Sequence, residues 1–389
     1  MDRLAAFETT ELPVISLYLN MQADQHGQQD YDRFLRKEFR ERARTYAAHT
    51  PERESFDRDV ERINTYLAEE TRPSANGVAI FACAGANDFF EAVQLDAPIE
   101  HHRLYIYNQP HLYPLARLMD QFPRYAALVA DTNRARIFVF GRGTAIGTQE
   151  IQNVKINRHK AGGWSQMRFQ RHADNYHLHH AKEMVETLER IVAEERAEHV
   201  VLAGDEVIIP VLREQLPKAL EEKVIDIVSL DINAPEHEIF DATMESLREH
   251  DEQTDAEKVE RLVNAYRSGG LGVVGATATL EALTMGQVDE LLLTASMQEI
   301  KALEEDISEL DVVITGDPVV AGTDGAVQNL EPPSVVMADE LVTRAQQTAA
   351  RVTFIEDPSL LEEVGGVGAI LRYRLDPPTT DSAPQPQHA

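Results

Sequence analysis

Between Lys155 and Lys182 the charged side chains are Lys155, Arg158, Lys160, Arg168, Arg171, Asp174 and Lys182, six bases against one acid in a chain whose formal net charge is −29. Such a local reversal of sign suits a phosphate-binding segment, because Lys and Arg neutralise the phosphates of nucleic acids. His159, His172, His177, His179 and His180 crowd the same stretch and add donors or, when protonated, charge. In its middle stands Gly162-Gly163-Trp164-Ser165-Gln166. Two adjacent glycines lift the Cβ restriction, so the backbone can approach a crowded ligand or turn through positive φ. Trp164, the only tryptophan of the chain, offers either a face for a nucleobase or an anchor for the loop's base. The Gln166 amide accepts and donates hydrogen bonds without being a strong base. That chemistry holds a water molecule; it does not deprotonate one. Charge alone describes a solvated basic loop, and the Gly-Gly step with its aromatic neighbour shifts the reading toward an RNA-facing one.

Other polar clusters carry less. His177 and His180 lie three apart and could share a helix face, but no Glu-flanked spacing such as His-Glu-x-x-His is present, so histidines beside RNA are the better reading and neither metal nor cofactor is expected. Arg33, Lys37, Arg40 and Arg44 recur at spacings of three and four, one face of a helix. They form either a second RNA contact or an ordinary exposed face paired with Glu38 and Glu41. Asp131 and Arg136, beside a strand turn, read as fold residues.

The elements that must position these residues follow from composition and pattern. A chain of 389 residues that is 43% hydrophobic should hold two or three cores. Cys83 has no second cysteine to pair with. The N-terminus lacks the basic start and apolar run of a signal peptide, and no stretch approaches the roughly 20 apolar residues of a membrane span. A cytoplasmic location without membrane contact is expected. The excess of acid argues globally against nucleic acid as a partner, yet an acidic, lysine-poor surface is also what a high-salt cytoplasm favours; the places where positive charge survives then matter most.

An apolar run at 14–19 predicts a strand, helical patterns follow at 31–46 and 52–70, and a strand pair is expected at 77–82 and 89–95, ending a first domain, 1–122. A second domain, 124–250, should open on paired strands at 126–131 and 135–140. After the glycine loop come a helix at 177–197, a buried strand at 199–204, a helix at 209–220 and a strand at 224–230, an alternating α/β order. A third, compact α/β domain, 255–376, is expected to hold helices at 255–268, 276–285 and 339–350 and strands at 290–294, 312–314 and 352–355. Its Gly-, Pro- and Asp-rich stretch 315–333 reads as a loop, and the tail 377–389 as disordered.

At this point the residues resemble a family. His159-Lys160-Ala161-Gly162-Gly163-Trp164-Ser165-Gln166-Met167-Arg168-Phe169 is similar to the Gly-Gly-Gln-Ser loop, followed by an Arg-Phe pair, of the first-class archaeal and eukaryotic release factors. Further similarity runs from Tyr105 to Asn108 and on from Pro114 to Leu118, then at Val200 to Gly204, Gly275 to Gly286 and Gly365 to Arg374, in the family's order. Aligned without a gap, Trp164 falls at the family's glutamine and Gln166 two positions later. The ribosome quality-control peptidyl-tRNA hydrolases, relatives within the release factor/Pelota superfamily, have a similarly displaced glutamine, and this chain looks closer to them and to the superfamily's bacterial members. The first domain lacks the Asn-Ile-Lys-Ser and Tyr-x-Cys-x-x-x-Phe elements that decode stop codons.

The resemblance implies a three-domain α/β (α+β) release-factor architecture with a mixed central domain. It further implies a codon-independent, ribosome-associated peptidyl-tRNA hydrolase or rescue factor. Gln166 would position water, with Gly162 and Gly163 admitting the loop to the reaction centre. Arg158, His159, Lys160, Trp164, Arg168 and Arg171 would contact rRNA or tRNA, and a translational GTPase would dock through the third domain. The alternative is a ribosome binder of the Pelota type that hibernates or marks stalled ribosomes without catalysis.

Overall fold

The computed structural model describes residues 1–22, 30–95, 97–141, 144–152, 165–301, 319–320 and 333–374. The fold is mixed α/β, with three sheets in two compact units, one from Phe7–Asp255 with Val312–Glu331 and one from Met1–Ala6, Ala256–Asp311 and Pro332–Ala389.

A single helical turn, α1 (Asp2–Ala5), belongs to the second unit. Of the first sheet, β1 (Val14–Asn20) pairs antiparallel with β2 (Gly77–Cys83) and β4 (Arg103–Tyr107), and β3 (Phe89–Leu95) pairs with β2. Alternation along the strands assigns the faces. Ile15, Leu17, Leu19, Val78, Ile80, Leu104 and Ile106 share a core with Phe34, Leu35 and Phe39 of α2 (Tyr31–Ala43) and Phe56, Ile63 and Leu67 of α3 (Pro51–Glu69). Thr50 caps α3, its hydroxyl accepting from the Arg53 amide at 3.3 Å, and Pro51 fills the first helical position, where a missing N–H costs nothing. The opposite face is aromatic: Tyr18 stands edge-on to Phe81 and Tyr105, and its hydroxyl donates to the His111 carbonyl at 2.6 Å. The helix α4 (Tyr113–Gln121) closes this part of the chain.

The second sheet has β5 (Tyr125–Ala130) at its centre, antiparallel to β6 (Arg134–Gly141) and parallel to β8 (His199–Gly204); β7 (Thr144–Gln152) and β9 (Val224–Val228) are its edges. One face packs on α5 (Ser165–Glu195) and α6 (Ile208–Gln215); the other packs on the first half of α8 (Glu236–Arg267), after a short α7 (Lys218–Glu221). The second half of α8 enters a different core, with Val259 and Leu262 against Leu292, Ile355 and Leu361.

That core belongs to the third sheet, formed by β10 (Gly272–Val274), β11 (Val288–Thr294), β13 (Arg351–Ile355) and β14 (Val367–Leu371) in the order β10-β14-β11-β13, with α9 (Ala276–Thr284) and α10 (Pro333–Gln347) alongside. The two-residue β12 (Val319–Val320) pairs instead with β4. Gln347 at the end of α10 donates to the Ala5 carbonyl at 2.8 Å, which ties α1 down. Glu290 is buried but satisfied, accepting from Arg261 at 2.8 Å and from the Thr353 hydroxyl at 3.1 Å. Gly366, inside the stretch similar to release factors, has φ +82, and a Cβ there would lie 2.8 Å from the Glu299 carbonyl oxygen.

Several sequence-based boundaries shift. The helix expected at 209–220 is two, because Pro217 forces Leu216 out of helical geometry. The helix expected at 255–268 begins at Glu236: its polar first half buries Ile239, Met244 and Leu247 at positions that the second half's pattern does not continue. The helix expected at 339–350 runs from Pro333 to Gln347. The strand expected at 312–314, most of the loop at 315–333 and the tail 377–389 lie outside the described residues.

Asp59 on α3 is 1% exposed. Burial pushes its carboxyl up to about 7, against the opposing pull of the Ala84 backbone and of Arg58 and Arg62. An acid whose folded pKa lies above its unfolded value near 3.9 stabilises fully below that value and loses its contribution as pH rises through about 7. Asp59→Asn should therefore match the wild type in denaturant titrations near pH 4 and exceed it above pH 7. The gain is on the order of 4 kcal/mol at most, from a shift of about three pH units at 1.36 kcal/mol each.

Candidate functional site

The site is built on one end of the second sheet. Ala130 is in register with both Ala135 and Gly204, and Arg134 with Gln152, so the ends of β5, β7 and β8 and the start of β6 lie together. The last residue of β7, Gln152, lies at this end. Ligands of open α/β sheets collect at the carboxyl ends of the parallel strands.

The rim is held by short polar bonds. Asp131 closes the β5–β6 turn, one carboxylate oxygen accepting from the amides of Asn133 at 2.7 Å and Arg134 at 2.6 Å. Arg134 donates to the Asn233 side chain at 2.9 Å, and Arg136 donates to the carbonyls of Ile232 at 3.1 Å and Ala234 at 2.7 Å while lying 4.7 Å over the Phe138 ring. Asp205 accepts from the amides of Val207 at 3.0 Å and Ile208 at 2.9 Å at the entry to α6. Asp131 and Arg136 thus help to hold the fold at this rim. Gly204, with φ +148, abuts the Ala130 backbone so closely that a Cβ would lie 2.0 Å from its carbonyl oxygen; no other residue fits there.

The helix α5 carries three of the candidate residues. Its 31 residues measure about 46 Å at 1.5 Å per residue. Ala181, Met184, Val185, Leu188, Ile191 and Val192 pack on the sheet, a span close to the strands' own length. His180 is completely buried at the upper end of that contact, where Asp131 is among the charges acting on it; burial, the largest influence, lowers its pKa. Gln166 lies about 21 Å further along the axis. Arg190, lower down, donates to Gln149 of β7 at 3.1 Å.

This corrects one expectation. Residues 165–176 are helical as well: the helix begins at Ser165, twelve residues before the start expected at His177. The run from Ser165 to Tyr176 contains no Gly or Pro to break it, and its high charge masks the continuing periodicity. Gln166, Arg168 and Arg171 accordingly stand on the first two turns of α5. By helical register Arg168 and Arg171 are neighbours, whereas Gln166 and Arg168 are two positions apart, about 200° around the axis. Arg158, His159, Lys160, Gly162, Gly163 and Trp164 lie outside the described residues. Among the described residues, no group of three or more His, Cys, Asp or Glu is placed to hold a metal. No helix among them is long and apolar enough to cross a membrane. The rim bonds were invisible in sequence, since Asn233 and Arg134 are 99 positions apart.

Two family profiles match in succession: residues 110–248 match "Bacterial archaeo-eukaryotic release factor family 10" and residues 244–375 match "eRF1 domain 3". Among characterised relatives, peptide chain release factor subunit 1 of Methanocaldococcus jannaschii is 22% identical over 400 aligned positions, covering 89% of this chain and 90% of the relative. The corresponding Methanobrevibacter smithii protein is 24% identical over 292 positions, covering 69% and 70%. Saccharomyces cerevisiae Dom34, described as a translation termination-like factor of RNA quality control that interacts with Hbs1, aligns over 77% of this chain and 79% of its own at 11% identity, with a TM-score of 0.42, too low to carry geometry across. Between them the two release-factor profiles account for residues 110–375, and archaeal release factors align over most of the chain, which is therefore similar to the release factor superfamily. Within it, the part that includes the Gly-Gly segment and the second sheet matches the bacterial branch.

Replacing Gly204 with alanine should destabilise the second sheet by several kcal/mol, since strain at positive φ adds to a backbone clash. Loss of hydrogen-exchange protection across β5 and β8, with β1 and β2 unchanged, is the expected readout.

Proposed function

We propose that this protein is a ribosome-associated, codon-independent peptidyl-tRNA hydrolase or rescue factor. The observation that carries the reading is the placement of Gln166 in the first turn of a helix whose other end is locked into a sheet, directly after Gly162-Gly163-Trp164 and within the basic stretch from Lys155 to Lys182. A glutamine on such a lever can hold a water against the ester carbonyl of a peptidyl-tRNA. The water oxygen forms the new bond to the carbonyl carbon, the ester C–O bond breaks, and the tRNA 3′ oxygen leaves with a proton as its hydroxyl. The ribosome and tRNA supply most of the oxyanion stabilisation, assisted by a backbone N–H of the loop. Arg158, Lys160, Arg168 and Arg171 neutralise phosphates of rRNA or tRNA. His159 and Trp164 add contacts to the same RNA. The eRF1 domain 3 match supports a translational GTPase as partner of the third-sheet unit.

A second reading is favoured by Trp164, which occupies the aligned position of the family's glutamine: a Pelota-type binder of stalled or vacant ribosomes in which the segment only docks.

Single-turnover assays on ribosomes carrying labelled peptidyl-tRNA separate the two. Gln166→Ala should slow peptide release by roughly 100-fold, the effect of misplacing a reacting group. Arg168→Gln with Arg171→Gln should instead weaken binding while leaving the saturated rate nearly unchanged. Full release by Gln166→Ala would sink the catalytic assignment, and ribosome binding with no release by the wild type would establish the Pelota-type reading.

A further inference from the structure

Outside the site, positive charge survives most clearly on α2. From Tyr31 to Arg44 six bases stand against three acids in a chain of net charge −29. The helix is locked in rotation, because Phe34, Leu35, Glu38, Phe39 and Arg42 are buried. Arg33, Arg36, Lys37, Arg40 and Arg44 are left exposed. Two of these have local acids, Arg36 with Asp32 at 3.7 Å and Lys37 with Glu38 at 3.3 Å. Arg33, Arg40 and Arg44 make no ion pair among the described residues.

The stripe of Arg33, Lys37, Arg40 and Arg44 advances one base per turn over about 16 Å. We infer that this face of α2 is an RNA-docking surface, its arginines gripping successive backbone phosphates without reading sequence. Guanidinium groups match phosphate oxygens two at a time, and a row at turn spacing can follow one strand. A lipid surface is a poor occupant, since the apolar side of α2 is spent on the core and none of the chain's exposed large hydrophobic residues lies on it. The choice of RNA over an acidic protein rests on the ribosomal reading above; the stripe itself does not.

The test uses the full chain and a fluorescein-labelled, 20-nucleotide single-stranded RNA of mixed sequence, titrated from 50 to 200 mM KCl. To remove the contribution of the Gly-Gly segment, all proteins carry Arg158→Gln, Lys160→Gln, Arg168→Gln and Arg171→Gln. On that background Arg33→Gln, Arg40→Gln and Arg44→Gln together should lower affinity at least tenfold at 100 mM KCl and reduce the slope of log affinity against log salt by about 2, at roughly 0.7 per phosphate. Lysine at the same three positions should keep the slope. Arg213→Gln with Arg248→Gln, exposed bases of the second-sheet region, should change neither quantity. An α2 triple variant with unchanged affinity and slope would overturn the proposal, as would displacement of the RNA by a polyglutamate peptide as effective as unlabelled RNA. Peptide release is scored separately on ribosomes: an α2-dependent salt slope in a protein that releases no peptide discards the hydrolase and keeps the docking surface.

Discussion

The structure around the site depends on β5 being buried on both faces. Ala126, Leu128 and Ala130 point into the core shared with α5 and α6, and the alternate residues Tyr125, Ala127 and Val129 into the core shared with α8. A strand of apolar and aromatic residues with three alanines can accept a helix on each side only at close range, so the spacing of the layers is set by small residues. The Tyr125 hydroxyl, the one polar group that β5 carries, is hydrogen-bonded to Thr243 on α8 at 2.9 Å, and Thr243 in turn donates to the Ile239 carbonyl at 2.7 Å. Because every position is committed, neither β5 nor its flanking helices can slide by one residue without exposing a core face.

That rigidity gives α5 its role. The lower part of the helix packs six apolar side chains into the core beside the sheet, and Gln166, Arg168 and Arg171 stand on its first two turns. A helix transmits position along its axis far better than a loop of equal length, so anchoring at Ala181 to Val192 orients residues about 20 Å away. The rim bonds at Asp131, Arg134 and Arg136 complete the base by fixing the turns beside the point where the chain leaves β7.

Charge is distributed in the same sense. A net charge of −29 repels polyanions at long range, and under physiological salt that repulsion is screened within about 8 Å. Short-range attraction from a basic segment can therefore decide where RNA binds. Two such places are the stretch from Lys155 to Lys182 and the exposed face of α2, the second backed by an apolar core. The buried acids act within the fold: Glu290 is paired with Arg261 and accepts from the Thr353 hydroxyl, while burial pushes the Asp59 carboxyl up to about 7.

What the sequence determined by itself was which side chains are on offer and where the charge reverses sign. The sign reversal from Lys155 to Lys182, the Gly-Gly step and Gln166 are local facts, and the ordered similarities along the chain carried superfamily and fold class with them. Apolar alternation likewise predicted β1, β2, β5, β6 and β8, because strands buried in a core advertise themselves in composition. Tertiary structure decided the rest. Short or half-exposed elements such as β4, β7 and β10 are stabilised by neighbours distant in sequence, so their own patterns are weak. The helical start of α5 and the full length of α8 were hidden because a long helix that leaves one core, or passes between two, has no single apolar stripe to read. The clamp of Arg136 on Ile232 and Ala234, and the need for glycine at 204 against Ala130, exist only once β5, β6 and β8 lie side by side. Such constraints arise from contact between strands, and no local sequence pattern encodes them.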